Sequence, residues 1–461
     1  MKCDGTASRI ERRAQGKALR KNCSRVAQGE WKPRAKSKDI IKLLEESDAD
    51  RIVGLIPLKY QRMSVSPFTF FRGAAVIQAR DLAQANVSGI TVQACGDCHL
   101  LNFGGFASPE RKLVFDINDF DETYPGPWEW DLKRLGASLI LAARDRRFSK
   151  GTAIEAVRAA GSAYRERMAQ FAQMKVLDTW YAQVTVDAIQ EHFRHDRDMS
   201  VRLLKKYKQS HSQTAERAVP KLTAVVDGRQ QIKDNPPALY HLQRFTHDFE
   251  QQREAFVAQY RQTLSPDHRR LYECYRYQDS AVKVVGVGSV GTRCYLSLLL
   301  ADHDDPLLLQ FKEARRSVLE SPRGQSRYEN QGHRVVEGQR LMQAASDVFL
   351  GWSSTQGHDY YVRQFRDMKV SADVETFKAG TLVGYATLCG WTLAHAHAKT
   401  GDAAMIAGYL GSSGRFDDAL AHYSQAYADQ AERDFELFQA AIRSGRLSTA
   451  PAKAADLEFL V

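Results

Sequence analysis

The chain has 461 residues, of which 43% are hydrophobic and 26% charged, and a net charge of +10. That length suits two or three domains or lobes around a large core. No apolar run reaches the roughly 18 residues of a membrane span; residues 284–300 come nearest and are broken by Gly286, Gly288, Gly291 and Arg293. Residues 1–36 hold eleven Lys or Arg against three acids, so +8 of the net charge lies there and the body is near neutral. A near-neutral body argues against a protein built to bind nucleic acid, apart from contacts of the basic segment. That segment, residues 1–37, is expected to be a flexible arm. Residues 1–13 lack the apolar core of a secretory signal, so a cytoplasmic location is expected, and with it seven reduced cysteines. Cys95 and Cys98 form one C-x-x-C pair. It brackets Gly96-Asp97 instead of opening a helix, which disfavours a redox or zinc role.

In chain order, residues 37–51 predict a helix capped by Ser37, followed by an extended LIPLKY at 55–60. Ser66-Pro67 marks the start of a helix running to residue 82, with Phe68, Phe70, Phe71, Ala74, Ala75 and Ile77 on its buried face. Arg62 and Arg72 stand in this segment. They read as salt-bridge partners or as phosphate contacts, since guanidinium forks match phosphate oxygens. Residues 89–94 alternate as a strand and deliver Asp97, His99 and Asn102 in the stretch GDCHLLN. A turn at Ser108-Pro109 and an apolar run, 112–117, deliver Asp119, Asp121 and Glu122, and then Asp131 at the head of a core helix. Two short strands would thus aim carboxylates and one amide at a single point. Mg²⁺ takes oxygen ligands, commonly one or two carboxylates plus substrate phosphates. The stretch is therefore a candidate site for a phosphate and its metal, with Asn102, Asp119 and Asp121 among the oxygen donors it offers.

Residues 150–276 read as helical and charged, with an amphipathic stretch at 153–174, a solvated basic run at 202–213 and a breaker at Asn235-Pro236-Pro237. His192, His195, His211, His241 and His247 lack the close pairing of a zinc helix. The character then changes. Residues 283–300, KVVGVGSVGTRCYLSLLL, contain Gly286-x-Gly288-x-x-Gly291. A dinucleotide site would need the last glycine to open a helix. Here a second strand follows, so a glycine-rich hairpin laid over nucleotide phosphates fits better. The next strand, LLLQFKEA, follows a turn at Asp304-Asp305-Pro306 and carries Lys312. A lysine so placed reaches the α and β phosphates in kinases. A helix at 333–345 offers Glu337 as its ion-pair partner, with Glu313 and Glu320 as lesser alternatives. Residues 349–365 predict a hairpin, residues 381–400 and 416–443 two helices, and the tail is expected to fray.

The block from Cys95 to Leu132 resembles the kinase-like phosphotransferases of the aminoglycoside and choline kinase branch. That branch carries G-D-x-H-x-x-N, a strand ending in D-[FW]-x-[DE], and a D-L pair opening a helix. Asn102 follows Asp97 by five positions, Asp119 follows Asn102 by 17, and Asp131 follows Asp119 by 12, all as in that pattern. Cys95 stands where the branch usually has His or Arg. The resemblance implies that Asp97 orients or deprotonates an acceptor hydroxyl, that Asn102 and Asp119 hold metal, and that Asp131 fixes the catalytic loop from below. It implies ATP and Mg²⁺ as cofactors and a small-molecule acceptor. Residues 381–400 are similar to the helix that precedes the loop in that branch, with L-A-x-x-H-A ending at His397-Ala398.

The expected fold is therefore α+β and protein-kinase-like with two lobes, but circularly permuted, because the nucleotide-clamping lobe follows the catalytic loop. A helical lobe would span 38–276, a small antiparallel-sheet lobe 277–370, and C-terminal helices at 371–461 would complete the large lobe. With RMSVSPFTFFRGAA at 62–75, the wording of residues 40–437 is closer still to the bacterial domain of unknown function 2252 family, whose name implies no activity. The expected activity is ATP- and Mg-dependent phosphoryl transfer, with Asp97, His99, Lys312 and Glu337 catalytic and Gly286, Gly288, Gly291 and Lys312 on the nucleotide. Nucleotidyl transfer, a nucleotide-binding regulator without turnover, and a metal-dependent phosphoester hydrolase are the alternatives.

Overall fold

The structure is a computed structural model that describes residues 7–34, 39–195, 205, 215–241, 249–302, 305–365 and 368–449. The architecture is α+β, with helices and small antiparallel sheets. The largest core lies between four helices, Trp128–Asp145, Lys150–Phe171, Ala379–Thr400 and Arg415–Arg443. Their sequences are apolar on more than one face, so each is enclosed by neighbours instead of lying on a surface. Trp128 stacks on Tyr164 with ring centroids 5.5 Å apart and packs against Phe416 at 5.1 Å.

Two small sheets sit at one end of this core. Strand β1 (Thr91–Ala94) enters the catalytic-loop candidate. Strands β2 (Phe103–Ala107) and β3 (Leu113–Ile117) form an antiparallel hairpin. Strand β4 (Tyr124–Pro127) returns beside β1, pairing Ala94 with Tyr124, and runs into the helix Trp128–Asp145. Strands β5 (Thr223–Val226) and β6 (Arg229–Ile232) make a separate hairpin.

The second body is a six-stranded antiparallel sheet built from β7 (Leu239–Tyr240), β8 (Arg276–Lys283), β9 (Cys294–Leu300), β10 (Pro306–Glu313), β11 (Gly351–Thr355) and β12 (His358–Gln364), in the order β11-β12-β10-β9-β8-β7. The short strand β13 (Val370–Ser371) pairs with β2 and ties this body to the first. The helix Gln331–Met342 runs between the sheet and the β1–β4 region.

Several expectations change in the folded chain. The basic segment is not a free arm over residues 7–34. Helix Arg9–Ala18 packs on helix Ala403–Leu410. Arg20 donates to the carbonyls of Gly408 and Tyr409 at 2.7 and 2.8 Å, and Arg25 to that of Leu410 at 2.7 Å. These carbonyls end a helix and lack intrahelical partners, so basic side chains satisfy them. Arg34 joins Asp81 at 2.7 Å to Asp434 at 2.6 Å. The charge run is thus largely spent on structure.

Residues 56–60 are helical instead of extended, within Ile56–Met63, because Pro57 falls in the first turn, where its missing N–H costs nothing, and Leu55 ends the 3-10 helix Val53–Leu55. The helix expected from Pro67 breaks into Pro67–Gly73 and Ala75–Leu82 at Ala74. Residues 150–276 include β5 to β7, which their shortness, four, four and two residues, concealed. Asp39 caps the helix Ile40–Asp48 through the N–H groups of Ile41 and Lys42. Ser37, His211, His247, Asp304, most of the 202–213 run and the tail beyond residue 449 lie outside the described residues. No helix among the described residues is long and apolar enough to cross a membrane.

Candidate active site

The site is built where β1 ends. The carboxylate of Asp131 accepts the N–H groups of Cys95 at 2.7 Å and Gly96 at 3.0 Å. His397 meets the same carboxylate at 3.1 Å through Nε2, while its Nδ1 meets the Tyr164 hydroxyl at 2.9 Å. The loop is therefore clamped from the large-lobe core by three helices. Gly96 turns the chain with φ +85°, and a Cβ there would lie 2.2 Å from the Glu122 carbonyl oxygen. Only glycine fits this left-handed, crowded position.

The turn presents Asp97. Its Oδ1 accepts Arg134 at 2.7 Å, and Arg134 also donates to Gln78 and to the Phe71 carbonyl at 3.1 and 2.7 Å. Burial pushes the Asp97 carboxyl up to about 7 against the pull of Arg134. A carboxyl balanced near neutrality suits proton acceptance. Burial, with the charges of Arg72 and Arg134, holds His99 well below its ordinary value, so the ring is neutral. Its Nδ1 accepts the Leu101 N–H at 3.2 Å, giving the ring a part in shaping the loop. Asn102 donates its amide to the Asp97 carbonyl at 2.6 Å, leaving Oδ1 for a cation.

The hairpin β2–β3 brings Asp119 and Asp121 to the same place. Asp119 is about one-third exposed and accepts the Asp121 N–H at 3.2 Å. Lys312, on β10, forms an ion pair with Asp121 and lies 3.8 Å from Asp119. Tyr361, opposite Lys312 in the β10–β12 register, donates to Asp121 at 2.8 Å, and Ser289 of the glycine-rich loop does so at 3.4 Å. Burial alone would lower the Lys312 ammonium, but Asp119 and Asp121 outweigh it and hold it above its ordinary value. Burial alone would raise Asp121, but Lys312 reverses this and holds it down.

Glu337 does not pair with Lys312. It pairs with Arg340 at 3.1 Å on the outer flank of its helix. Glu313 instead accepts the Arg293 N–H at 2.8 Å, and Glu320 lies 4.0 Å from Arg334. The reason is close helix packing: a Cβ on Gly338 would lie 2.3 Å from Thr123, so this face has no room for a glutamate reaching inward. The helix is held by Arg334, which sequence reading missed. Fully buried, it donates to the carbonyls of Thr123, Asp121 and Arg315 at 2.6, 2.8 and 2.8 Å. Its only prior signal was an arginine among the apolar residues of an amphipathic helix. Arg134 was missed for the same reason.

The loop joining β8 and β9 carries Gly286, Gly288 and Gly291, with φ +67° at Gly286 and +86° at Gly291. It is anchored from the other body. Arg62 donates to the Gly286 carbonyl and Arg51 to that of Val290, both at 2.6 Å, and the Ile52 N–H reaches Gly291 at 2.8 Å. Arg62 is thus a backbone anchor, and Arg72 lines the site without a salt bridge.

Two cavities meet at Asp119, Gly286 and Ser289. One of about 540 Å³ is bounded by Lys312, Phe106, Val285, Val348, Phe349 and Phe365. The other, about 280 Å³, holds Asp97, His99, Asn102, Asp121 and Arg72. Among the described residues no three His, Cys, Asp or Glu side chains gather to hold a metal ion. Two carboxylates and an amide still fit Mg²⁺, which usually keeps water and draws on substrate phosphates. The described cysteines are free.

Such a pair of loops, carboxylate-rich and facing a lysine-bearing antiparallel sheet across a cleft, defines an α+β protein with one composite polar site. The chain belongs to the family described as "Uncharacterized protein conserved in bacteria (DUF2252)", whose profile matches residues 51–441. No curated protein matches it, and no solved structure does.

Proposed function

We propose that this protein is an ATP-dependent phosphotransferase with a circularly permuted kinase-like fold, transferring phosphate to a hydroxyl of a small molecule. The observation that carries this reading is the meeting of the two cavities. The Lys312 side offers a partly apolar chamber for a nucleotide, the Asp97 side a polar chamber for an acceptor, and Asp119 stands at their junction. The chain order supports the permutation: the sheet bearing the glycine-rich loop follows the Asp97 loop, while the helix bearing His397 packs beneath that loop.

In this reading Asn102 and Asp119 hold Mg²⁺, which when bound neutralises phosphate charge and aligns the oxygens. The ammonium of Lys312 binds the nucleotide phosphates, turning from Asp121 to do so. Backbone N–H groups of the 286–291 loop close over them. Asp97 accepts the proton of the attacking hydroxyl, and Arg134 keeps its carboxylate aimed. Positioning and charge stabilisation supply most of the rate in such transfers.

The test is thermal melting with and without ATP and Mg²⁺, for the wild type and Asp119→Asn. A metal-dependent rise in melting temperature, lost in the variant, is the expected result. A folded sample with no shift for any nucleotide removes the reading.

A further inference from the structure

The smaller cavity is rich in guanidinium groups. Arg51, Arg72, Arg315 and Arg316 all line it. Its acids have partners of their own. Asp97 is engaged by Arg134, Asp121 by Lys312 and Tyr361, Glu313 by Arg293, and Glu122 by the Val318 N–H at 2.7 Å. Asp119 faces the junction with the nucleotide chamber.

The arginines divide differently. Arg51 is tied to Asp48 at 2.7 Å and to the Val290 carbonyl. Arg315 donates to the Ser47 carbonyl at 2.7 Å and lies 3.8 Å from the exposed Asp50, with its buried Nε unpartnered. Arg72 and Arg316 make no hydrogen bond and no ion pair among the described residues; the Nε of Arg72 is buried and its guanidinium lies 5.8 Å from the Phe68 ring, while Arg316 is exposed to solvent. Arg72 is only half-buried, and burial lowers its guanidinium from the ordinary value. A half-buried charge without a hydrogen bond or an ion pair is costly, and its position at the end of helix Pro67–Gly73, in the cavity that holds Asp97, gives that cost a use.

We propose that the small-molecule acceptor carries a phosphate group of its own, bound by Arg72 and Arg316 while its hydroxyl faces Asp97. The site therefore takes a phosphate monoester that bears a free alcohol. This rests on the phosphotransfer reading of the same site. Charge decides between anions: a phosphate monoester carries about −1.5 to −2 at neutral pH, which matches two unpaired guanidinium groups, whereas a carboxylate balances one. Planar forks also engage phosphate oxygens bidentately. The volume of about 280 Å³ admits a compact molecule of this kind.

The test uses the full chain saturated with Mg²⁺ and a non-hydrolysable ATP analogue. Inorganic phosphate, glycerol 3-phosphate, glycerate and glycerol are then titrated while melting temperature and heat of binding are read. Phosphate and glycerol 3-phosphate should bind, glycerate more weakly, and glycerol not at all. Arg72→Gln and Arg316→Gln should each weaken glycerol 3-phosphate about tenfold or more, the loss of one charge-assisted contact, and leave the shift from the ATP analogue unchanged. Arg316→Gln should leave the melting temperature of the ligand-free protein unchanged, because this exposed side chain has no protein partner to lose, and Arg72→Gln should change it little, since only the contact with the Phe68 ring is lost. Equal binding of glycerol and glycerol 3-phosphate, or wild-type binding of phosphate by both variants, overturns the inference. So does a ligand-free Arg72→Gln protein that melts well below wild type, since the guanidinium would then be structural. An intact nucleotide shift with no phosphate response leaves the phosphotransfer reading standing without this acceptor. An arginine-dependent phosphate response with no nucleotide shift retains the anion site and removes the transfer.

Discussion

The two cavities that meet at Asp119 differ in wall chemistry. The larger is lined in part by Phe106, Val348, Phe349 and Phe365, with Lys312 at its inner end. The smaller is polar, with Asp97 and guanidinium groups around it. A chamber that is apolar at one end and cationic at the other suits a molecule with a flat body and a charged tail. A small chamber lined by arginines and by acids that have partners of their own has room for an anion. Under the proposed function, Asp119 at the junction would lie between the two occupants.

The contrast can be broken one wall at a time. The largest effect is expected from Asp97→Asn, which under the proposed phosphotransfer would remove the proton acceptor of the small chamber: turnover should then fall by about 10²–10⁴. The thermal shift given by ATP and Mg²⁺ should persist, because the larger chamber is untouched. Loss of the shift together with turnover would mean that Asp97 serves the nucleotide instead. Next is Lys312→Ala. It removes a charge-assisted contact worth about 1.5–3 kcal/mol, so nucleotide affinity measured by calorimetry should fall about tenfold to a hundredfold. Unchanged affinity would shift the nucleotide elsewhere and revive the hydrolase alternative, which has no need of this lysine.

Arg334→Leu strikes the packing behind the Asp119–Thr123 segment, leaving the carbonyls of Thr123, Asp121 and Arg315 without their donor. A cost of about 3 kcal/mol is expected, read as a lower denaturation midpoint, together with weaker nucleotide binding because the Asp119–Thr123 segment loses its anchor. A variant as stable as wild type would show that the segment is held by other contacts.

The smallest expected effect lies outside both chambers and serves as a contrast. His241 sits between Asp279 at 3.0 Å and Asp234 at 2.8 Å, and the bond to Asp279 raises its imidazole to about 8. A raised histidine stabilises the fold fully below its unfolded value near 6.5 and loses that contribution as pH rises through 8. With solvent screening at this half-buried position, about 1 kcal/mol should disappear from the unfolding free energy across that window. His241→Asn should flatten the slope there without altering nucleotide binding. An identical slope in the variant would assign the pH dependence to another group.

Legibility in the sequence followed the range of the interactions. The strands β1, β3, β9, β10 and β12 were readable because alternation and turn residues are local signals. The grouping of Asp97, Asn102 and Asp119 was readable from spacing along two neighbouring loops, whereas Lys312 joined them only through the resemblance to kinases. The partner of Lys312 was not readable. Glu337 lies on the right helix, but Gly338 packs so closely on Thr123 that Asp121, on a distant loop, takes the lysine. Nor was the fate of the basic segment: eleven positive charges in 36 residues look solvated until helix ends and acids hundreds of residues away are brought beside Arg9, Arg12, Arg20, Arg25 and Arg34.

By itself, then, the sequence determined most of the longer elements, the acidic block and the glycine-rich loop, because backbone propensity, side-chain period and short-range spacing are written in adjacent residues. The tertiary structure alone decided which charges were spent on the fold and which were left over. Arg134 and Arg334 look no different in one dimension from Arg72 and Arg316. Burial and the nearest carbonyl or carboxylate separate them, and those depend on chain segments that meet only after folding.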